Sequence, residues 1–284
     1  MKFKRNELLS KHTTFRVGGY AKYFCTVKRL KDIQYVFKFA QKERLKVFIL
    51  GCGSNVLFSN KRFDGIIVKL ESKGIQIKGR SLIVEAGTKL TALLNFSVEN
   101  NLAGFEFLSG IPGTIGGALY MNAGQLNKTI GNLVKRVWVV DSDGKEFILA
   151  RKKCGFSYRG SLFQEKNWII TKAEFIFKKG NSAKIKEKIK KILKDKLKKQ
   201  PYDLPSAGSF FKNPKGDFAA RLIESAGCKG ARVGDAQVSL KHSNFIVNLG
   251  NASFNDVEKL SRYVVKKVKE KFKIFLEPEV KFID

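Results

Sequence analysis

Lys46-Val47-Phe48-Ile49-Leu50-Gly51-Cys52-Gly53-Ser54-Asn55 is the stretch on which the reading of this chain turns. A short apolar run bounded by glycine reads as a buried strand. The turn after it holds two glycines. Glycine has no Cβ, so backbone N–H groups can close around a pyrophosphate there. Ser54 and Asn55 add side-chain donors. Upstream, Ile33, Val36, Phe37 and Ala40 fall on one face of a helix. Downstream, Gly65 to Leu70 reads as another strand. Further strands are predicted at Ile75 to Ile77, Leu82 to Val84, Val134 to Val140 and Trp168 to Phe177, with a helix near Leu90 to Asn100.

A second glycine-rich segment runs Gly110-Ile111-Pro112-Gly113-Thr114-Ile115-Gly116-Gly117-Ala118. Thr114 is placed to cap a helix through Ala118 to Met121, and exposed N–H groups at a helix start attract anions. Neither segment is a P-loop, and neither is a G-x-G-x-x-G opening a long helix. Read alone, each is a tight turn. Together, both following strands, they favour a split site for a phosphate-bearing cofactor.

After Gly180 the pattern changes to longer helices. One is predicted from Asn181 or Ser182, with Ile185, Ile189, Ile192, Leu193 and Leu197 sharing a face that docks while its lysines stay solvated. The last is predicted from Asn255, where Asn255 and Glu258 have capping-box spacing. Val257, Leu260, Val264 and Val268 form its apolar stripe. The fold class is α+β. A mostly β domain covers residues 1–179, with an internal boundary near 72, and an α/β domain covers 180–284, its last few residues being candidates to return to the first.

The 284 residues are 43% hydrophobic, enough for a sizeable core. No apolar run approaches the ~18 residues of a membrane span, and the polar start Met1 to Glu7 is no secretory signal. A cytoplasmic protein with no membrane partner is expected. Cys25, Cys52, Cys154 and Cys228 are scattered, which reads as free thiols. With only His12 and His242, no metal site is expected, and His242 reads as structural. The net charge of +30 raises the question of nucleic acid. The lysines are spread along the chain and no nucleic-acid motif accompanies them, so a solvated basic surface is expected and no specific nucleic acid.

Three further places carry candidate chemistry. Ser206-Ala207-Gly208-Ser209-Phe210-Phe211-Lys212-Asn213-Pro214 offers a hydroxyl at Ser209 and a donor–acceptor pair at Asn213, although spacing alone makes it an ordinary loop. Arg159, between Tyr158 and Gly160, has the planar fork that suits a carboxylate, although a lone arginine reads more readily as a surface ion pair. Glu279 follows Glu277-Pro278 between apolar residues. In a strand it would be partly buried and need a partner; at an edge it is an exposed charge.

In this order, these segments resemble the UDP-N-acetylenolpyruvoylglucosamine reductase family, specifically its shorter subtype without an inserted tyrosine-bearing loop. The marks are Thr14-Phe15-Arg16-Val17-Gly18-Gly19, Gly51 to Asn55, Ser109 to Ala118, Met121-Asn122-Ala123-Gly124, Tyr158 to Phe163, Ser206 to Pro214, Leu222 to Gly227, His242 to Ile246 and Leu276 to Val280. Chance rarely reproduces order and spacing together. The resemblance implies a first domain that binds FAD non-covalently in the vanillyl-alcohol-oxidase or PCMH manner, and a second that closes over a UDP-sugar. It implies that Gly51, Cys52, Gly53, Ser54, Asn55, Ser109, Gly110, Pro112, Gly113, Thr114, Gly116, Gly117, Asn122, Ala123 and Gly124 contact FAD. Arg159, Ser209 and Glu279 match the family's catalytic positions, and Tyr158, Lys212 and Asn213 are implied substrate contacts. The implied reaction has NADPH reduce the flavin, which then reduces the enolpyruvyl group of a peptidoglycan precursor. The chain departs from the pattern at Gln125-Leu126-Asn127, Ala220, Cys52 and Asp235. Two rivals remain: another flavoprotein oxidase on the same scaffold, and a basic nucleic-acid-binding protein.

Overall fold

The structure is a computed structural model that describes residues 1–166 and 168–284. The chain begins with β1 (Lys4–Leu8), β2 (Tyr20–Val27), α1 (Leu30–Lys42), β3 (Lys46–Leu50), β4 (Val56–Phe58), β5 (Phe63–Leu70), β6 (Ile75–Lys78) and β7 (Ser81–Glu85). There follow α2 (Leu90–Glu99), β8 (Leu102–Ala103), α3 (Ile115–Tyr120), β9 (Gly124–Gln125), β10 (Lys128–Thr129), β11 (Val134–Val140), β12 (Glu146–Ala150), β13 (Ile169–Ile176) and β14 (Lys178–Lys179). The remainder is α4 (Ser182–Lys199), α5 (Ala219–Ser225), β15 (Arg232–Val233), β16 (Ala236–Val238), β17 (Ile246–Asn248), α6 (Phe254–Phe272) and β18 (Lys281–Ile283). This is the expected α+β class.

Two compact units result, each discontinuous in sequence. The first holds Met1–Lys4, Tyr23–Cys52 and Gly65–Asp195; the second holds Arg5–Lys22, Gly53–Asp64 and Lys196–Asp284. The sequence reading places one boundary at 179/180 and another near 72. The units instead divide at Asp195/Lys196, residues on both sides of 72 share a unit, and two early segments group with the C-terminal residues. The cause is long-range burial. In the second unit β18 pairs in parallel with β4, and Phe15, Val17 and Leu57 enter one core with Phe210, Leu222, Leu260 and Val264.

In the first unit, β3 runs parallel to β5, Leu50 opposite Lys69, so the first glycine turn leaves from the end of a paired strand. A five-stranded antiparallel sheet, β12-β11-β13-β7-β6, lies in the same unit. Its buried residues, Leu82, Val84, Val137, Val139 and Phe175, join the core with Ile33, Val36 and Ala40 of α1 and Leu90, Leu93 and Leu94 of α2. The carboxylate of Glu174 on β13 is buried. It accepts from Ser81 Oγ at 2.5 Å, Lys135 Nζ at 3.1 Å and Arg136 Nε. Burial works to raise its pKa, but these donors outweigh it and hold it at about 2.

In the second unit, α6 buries Val257, Leu260, Val264 and Val268, the predicted stripe. Its N-cap lies two residues before the predicted one. Ser253 caps the helix by accepting from Asp256 N, and the box is completed by Asp256, not Glu258. Helix α4 begins where predicted, but only Ile185 of its stripe is buried. Among the described residues, no helix is long and apolar enough to cross a membrane.

Candidate active site

Gly51, which opens the first glycine segment, meets the second segment within the first unit. A Cβ on Gly51 would lie 2.7 Å from Thr114 Oγ1, so only glycine lets the first turn approach the second. Thr114 does cap α3, accepting from Gly117 N at 3.3 Å. The expected exposure of N–H groups at that helix start is not found. Gly116 N donates to Ala86 O at 2.8 Å and Ile115 N to Thr88 O at 2.9 Å. These N–H groups lock α3 onto the sheet rather than face outward. Cys52 beside the turn is a half-buried thiol whose pKa is raised by burial, against the pull of Lys89 and Lys69. All four cysteines are free thiols.

Ser109, also expected at this site, is buried and donates its Oγ to Glu106 O at 2.6 Å. Gln125, one of the departures, donates its amide to Ser109 O at 2.9 Å and also to Phe107 O. It thus ties the entrance of the second glycine segment to β9. Leu126 and Asn127 form the turn after it at φ 55° and 58°.

Arg159 is presented by a tight turn. Ser157 N donates to Gly160 O at 3.0 Å, Gly160 N returns to Ser157 O at 3.3 Å, and Arg159 sits at φ 54°. That left-handed conformation costs a non-glycine residue about 1–2 kcal/mol, so neighbours must impose it. Asn122 Nδ2 donates to Ser157 O at 2.7 Å while its Oδ1 accepts from Gly131 N at 3.0 Å. Gln164 Nε2 donates to Arg159 O and Tyr120 O, both at 2.9 Å, and Ser161 Oγ donates to Tyr120 O at 2.7 Å. The guanidinium donates to Gly124 O at 3.2 Å and lies over the Tyr158 ring, 5.4 Å from its centroid. Tyr158 itself is 55% exposed. Asn122, expected at a cofactor, is thus buried behind the turn and shapes it. Ala123 holds the same region by donating to Ala118 O and accepting from Ile130 N.

The second unit carries the other candidates. Ser209 is half-buried between Gly208, at φ 78°, and the buried Phe210. Phe210 N donates to Asn244 O at 2.7 Å, and Phe210 O accepts from Glu279 N at 2.8 Å. The structure therefore brings the Ser209 and Glu279 segments side by side. Glu279 is half-buried next to an isolated bridge between Phe211 and Pro278, not inside a strand. Asn55 Nδ2 donates to Glu279 O at 3.1 Å, so this expected cofactor contact supports the glutamate's backbone. Gly53 closes against His12 and Thr13, where a Cβ would come within 2.1 Å of His12 O. Lys212 Nζ meets Glu277 Oε1 at 2.5 Å, and Asn213 Oδ1 accepts from Ala219 N at 3.0 Å at the start of α5. Asn244, which no sequence signal marks as a site residue, pairs its side chain with both the N–H and the C=O of Phe211. His242 is structural, its pKa lowered by burial and its ring packed on Phe245 at 4.9 Å. Asp235 accepts from Asn251 N and Arg232, organising a loop.

Comparison with known proteins gives the class, a FAD-binding oxidoreductase. Residues 21–149 match the FAD binding domain family, and residues 200–283 match the C-terminal domain of UDP-N-acetylenolpyruvoylglucosamine reductase. A reductase of that name from Caldanaerobacter subterraneus is 43% identical over 98% of this chain and 92% of its own length. Another from Thermotoga maritima is 44% identical over 96% of each. The crystal structure of the Thermus caldophilus reductase superposes with a TM-score of 0.88 at 33% identity, covering 100% of both chains. The chain belongs to the UDP-N-acetylenolpyruvoylglucosamine reductase family.

Proposed function

We propose that this chain reduces UDP-N-acetyl-3-O-(1-carboxyvinyl)-glucosamine to UDP-N-acetylmuramate in peptidoglycan synthesis, using NADPH, non-covalent FAD and a cytoplasmic location. The observation that carries the reading is its end-to-end likeness to reductases of that name. The residues present also fit FAD. Glycine at 51 is the residue that permits the close approach to Thr114, and Gly110 has the left-handed φ of 69° that a tight phosphate-lining turn uses. In this reading Gly51 to Asn55 and Gly110 to Thr114 line the pyrophosphate. Gly116 and Gly117 support them from behind.

Bound FAD supplies a two-electron relay between NADPH and the sugar. The protein's own part concerns the enolpyruvyl ether. Hydride added to its terminal carbon breaks the C=C π bond and moves an electron pair toward the carboxylate as an enolate. Arg159, fixed in its turn, is assigned to that carboxylate, where two parallel N–H donors stabilise charge that grows in the transition state. Ser209 Oγ is assigned as donor of the proton to the adjacent carbon. A serine hydroxyl is a weak acid, so its proton must be replaced through a relay in a preorganised site. Glu279 is assigned to support the enolate. Tyr158, Lys212 and Asn213 are assigned to the UDP-sugar. Lys212 would exchange its partner Glu277 for a phosphate.

The test is an anaerobic titration of the purified protein, first with NADPH and then with the enolpyruvyl sugar. A yellow protein that bleaches and then regains its flavin absorbance supports the reading. Bleaching without recovery removes the substrate, and a colourless protein that takes up no FAD removes the whole assignment.

A further inference from the structure

The charge excess is densest on α4. In Ser182–Lys199 nine lysines stand against Glu187 and Asp195. The apolar stripe of this helix is covered at one end only. Ile185 is buried, Ile189 and Ile192 are half-buried, and Leu193 and Leu197 are 38% and 47% exposed. Leu193 and Leu197 are one turn apart on the same face. Lys190 and Lys194 each precede one of them by three residues, so they flank the leucines directly, and Lys186 continues their row. All three lysines are exposed, and among the described residues none of the three makes an ion pair.

We propose that the C-terminal half of α4 lies on an anionic lipid surface, with Leu193 and Leu197 entering the headgroup region and Lys186, Lys190 and Lys194 meeting lipid phosphates. Charge complementarity and composition together select this occupant. A helix of low net hydrophobicity with lysines beside an apolar edge is built to lie in the plane of a membrane interface, and long lysine stems let the ammonium reach outward. Nucleic acid would use arginine forks and aromatic stacking, and α4 has neither Arg nor an aromatic residue. A protein partner would favour Tyr, Trp, Met or Arg and disfavour lysine. The expectation of no membrane partner rests on the lack of an apolar run long enough to span a bilayer. Helix α4 lies on a bilayer and does not span one.

The experiment is flotation of the full-length protein with vesicles of equal parts phosphatidylglycerol and phosphatidylcholine, and with vesicles of phosphatidylcholine alone. Binding to the anionic vesicles only, weakened by salt, is expected. Leu193→Ser with Leu197→Ser leaves the charge unchanged and should weaken binding about tenfold. Lys190→Glu with Lys194→Glu should abolish it while the leucines remain. Both pairs should melt like the parent, and neither touches residues assigned to the reaction. Absence of binding overturns the proposal. So does binding indifferent to the leucines, which would be adsorption of a +30 surface. Tighter, leucine-independent binding to a DNA duplex would transfer α4 to nucleic acid.

Discussion

The turn that presents Arg159 and the segment that presents Ser209 solve the same problem by different means. Arg159 sits at φ 54° in a turn closed by two Ser157–Gly160 backbone bonds and buttressed by side chains, Asn122 donating to Ser157 O and Gln164 to Arg159 O, while Ser161 anchors the next residues to Tyr120 O. Ser209 adjoins a run whose backbone is paired on both sides, Phe210 N to Asn244 O and Glu279 N to Phe210 O, with Lys212 N to Glu277 O beyond. The difference has a chemical sense. A guanidinium fork must be aimed in a plane, so its backbone must be forced. A hydroxyl can rotate to its target once its Cα is in place. The arginine's precision therefore rests on bonds that single substitutions remove, and the serine's rests on a ladder that they do not.

Removing the chemical groups themselves sets the largest effects. Ser209→Ala should slow flavin reoxidation by the enolpyruvyl sugar about 10³-fold, the span of general acid catalysis, and leave reduction by NADPH unchanged. Rapid-mixing absorbance separates the two half-reactions, and equal loss in both would remove Ser209 as donor. Arg159→Lys keeps the charge and loses the fork, so reoxidation should fall about 10²-fold. Wild-type turnover there would end the argument that the turn exists to aim a planar group.

The comparison itself is sharpened by Asn122→Ala against Asn244→Ala. Each deletes two hydrogen bonds to backbone groups: Ser157 O and Gly131 N in one case, both polar groups of Phe211 in the other. Each should destabilise by about 2–3 kcal/mol, read as a lower melting temperature. Their kinetic effects should diverge. Asn122→Ala frees the Arg159 turn and should slow reoxidation about tenfold, a rise of about 1.4 kcal/mol in the barrier. Asn244→Ala leaves the ladder beside Ser209, so reoxidation should stay within about twofold. Similar kinetic losses from the two would erase the distinction between side-chain and backbone support.

What the sequence disclosed follows from range. The strand at Lys46–Leu50, the cap at Thr114 and the stripe of α6 depend on residues within a few positions of one another, and each is found as read. The start of α6 was misplaced because Ser253 with Asp256 and Asn255 with Glu258 have the same spacing, and only packing chooses between them. The grouping of Arg5–Lys22 and Gly53–Asp64 with the C-terminal residues depends on β18 pairing with β4, a contact between distant parts of the chain that no local period encodes. The motif residues Asn55 and Asn122 are legible in the sequence as important, and in the structure each donates to a backbone carbonyl. A polar side chain in a motif looks the same in sequence whether it faces a ligand or holds a neighbouring carbonyl, and here both hold backbone.

Gln164 gives the finest test of the comparison. It ends a short 3-10 turn, Leu162–Gln164, and touches Arg159 only through the carbonyl of that residue. Gln164→Ala leaves Arg159 O and Tyr120 O without this donor, but the position is only half-buried, so water can take its place. Stability should change by less than about 1 kcal/mol. The αL conformation of Arg159 would lose one of the bonds that impose it, and the guanidinium would sample more directions. Reoxidation should then slow by roughly threefold, with the half-saturating sugar concentration raised and reduction by NADPH unaltered. Gln164→Glu removes the same donor and adds a negative charge near the arginine, so it should be slower again. A purely structural glutamine would shift the melting temperature in both variants and leave the two half-reactions in their original ratio.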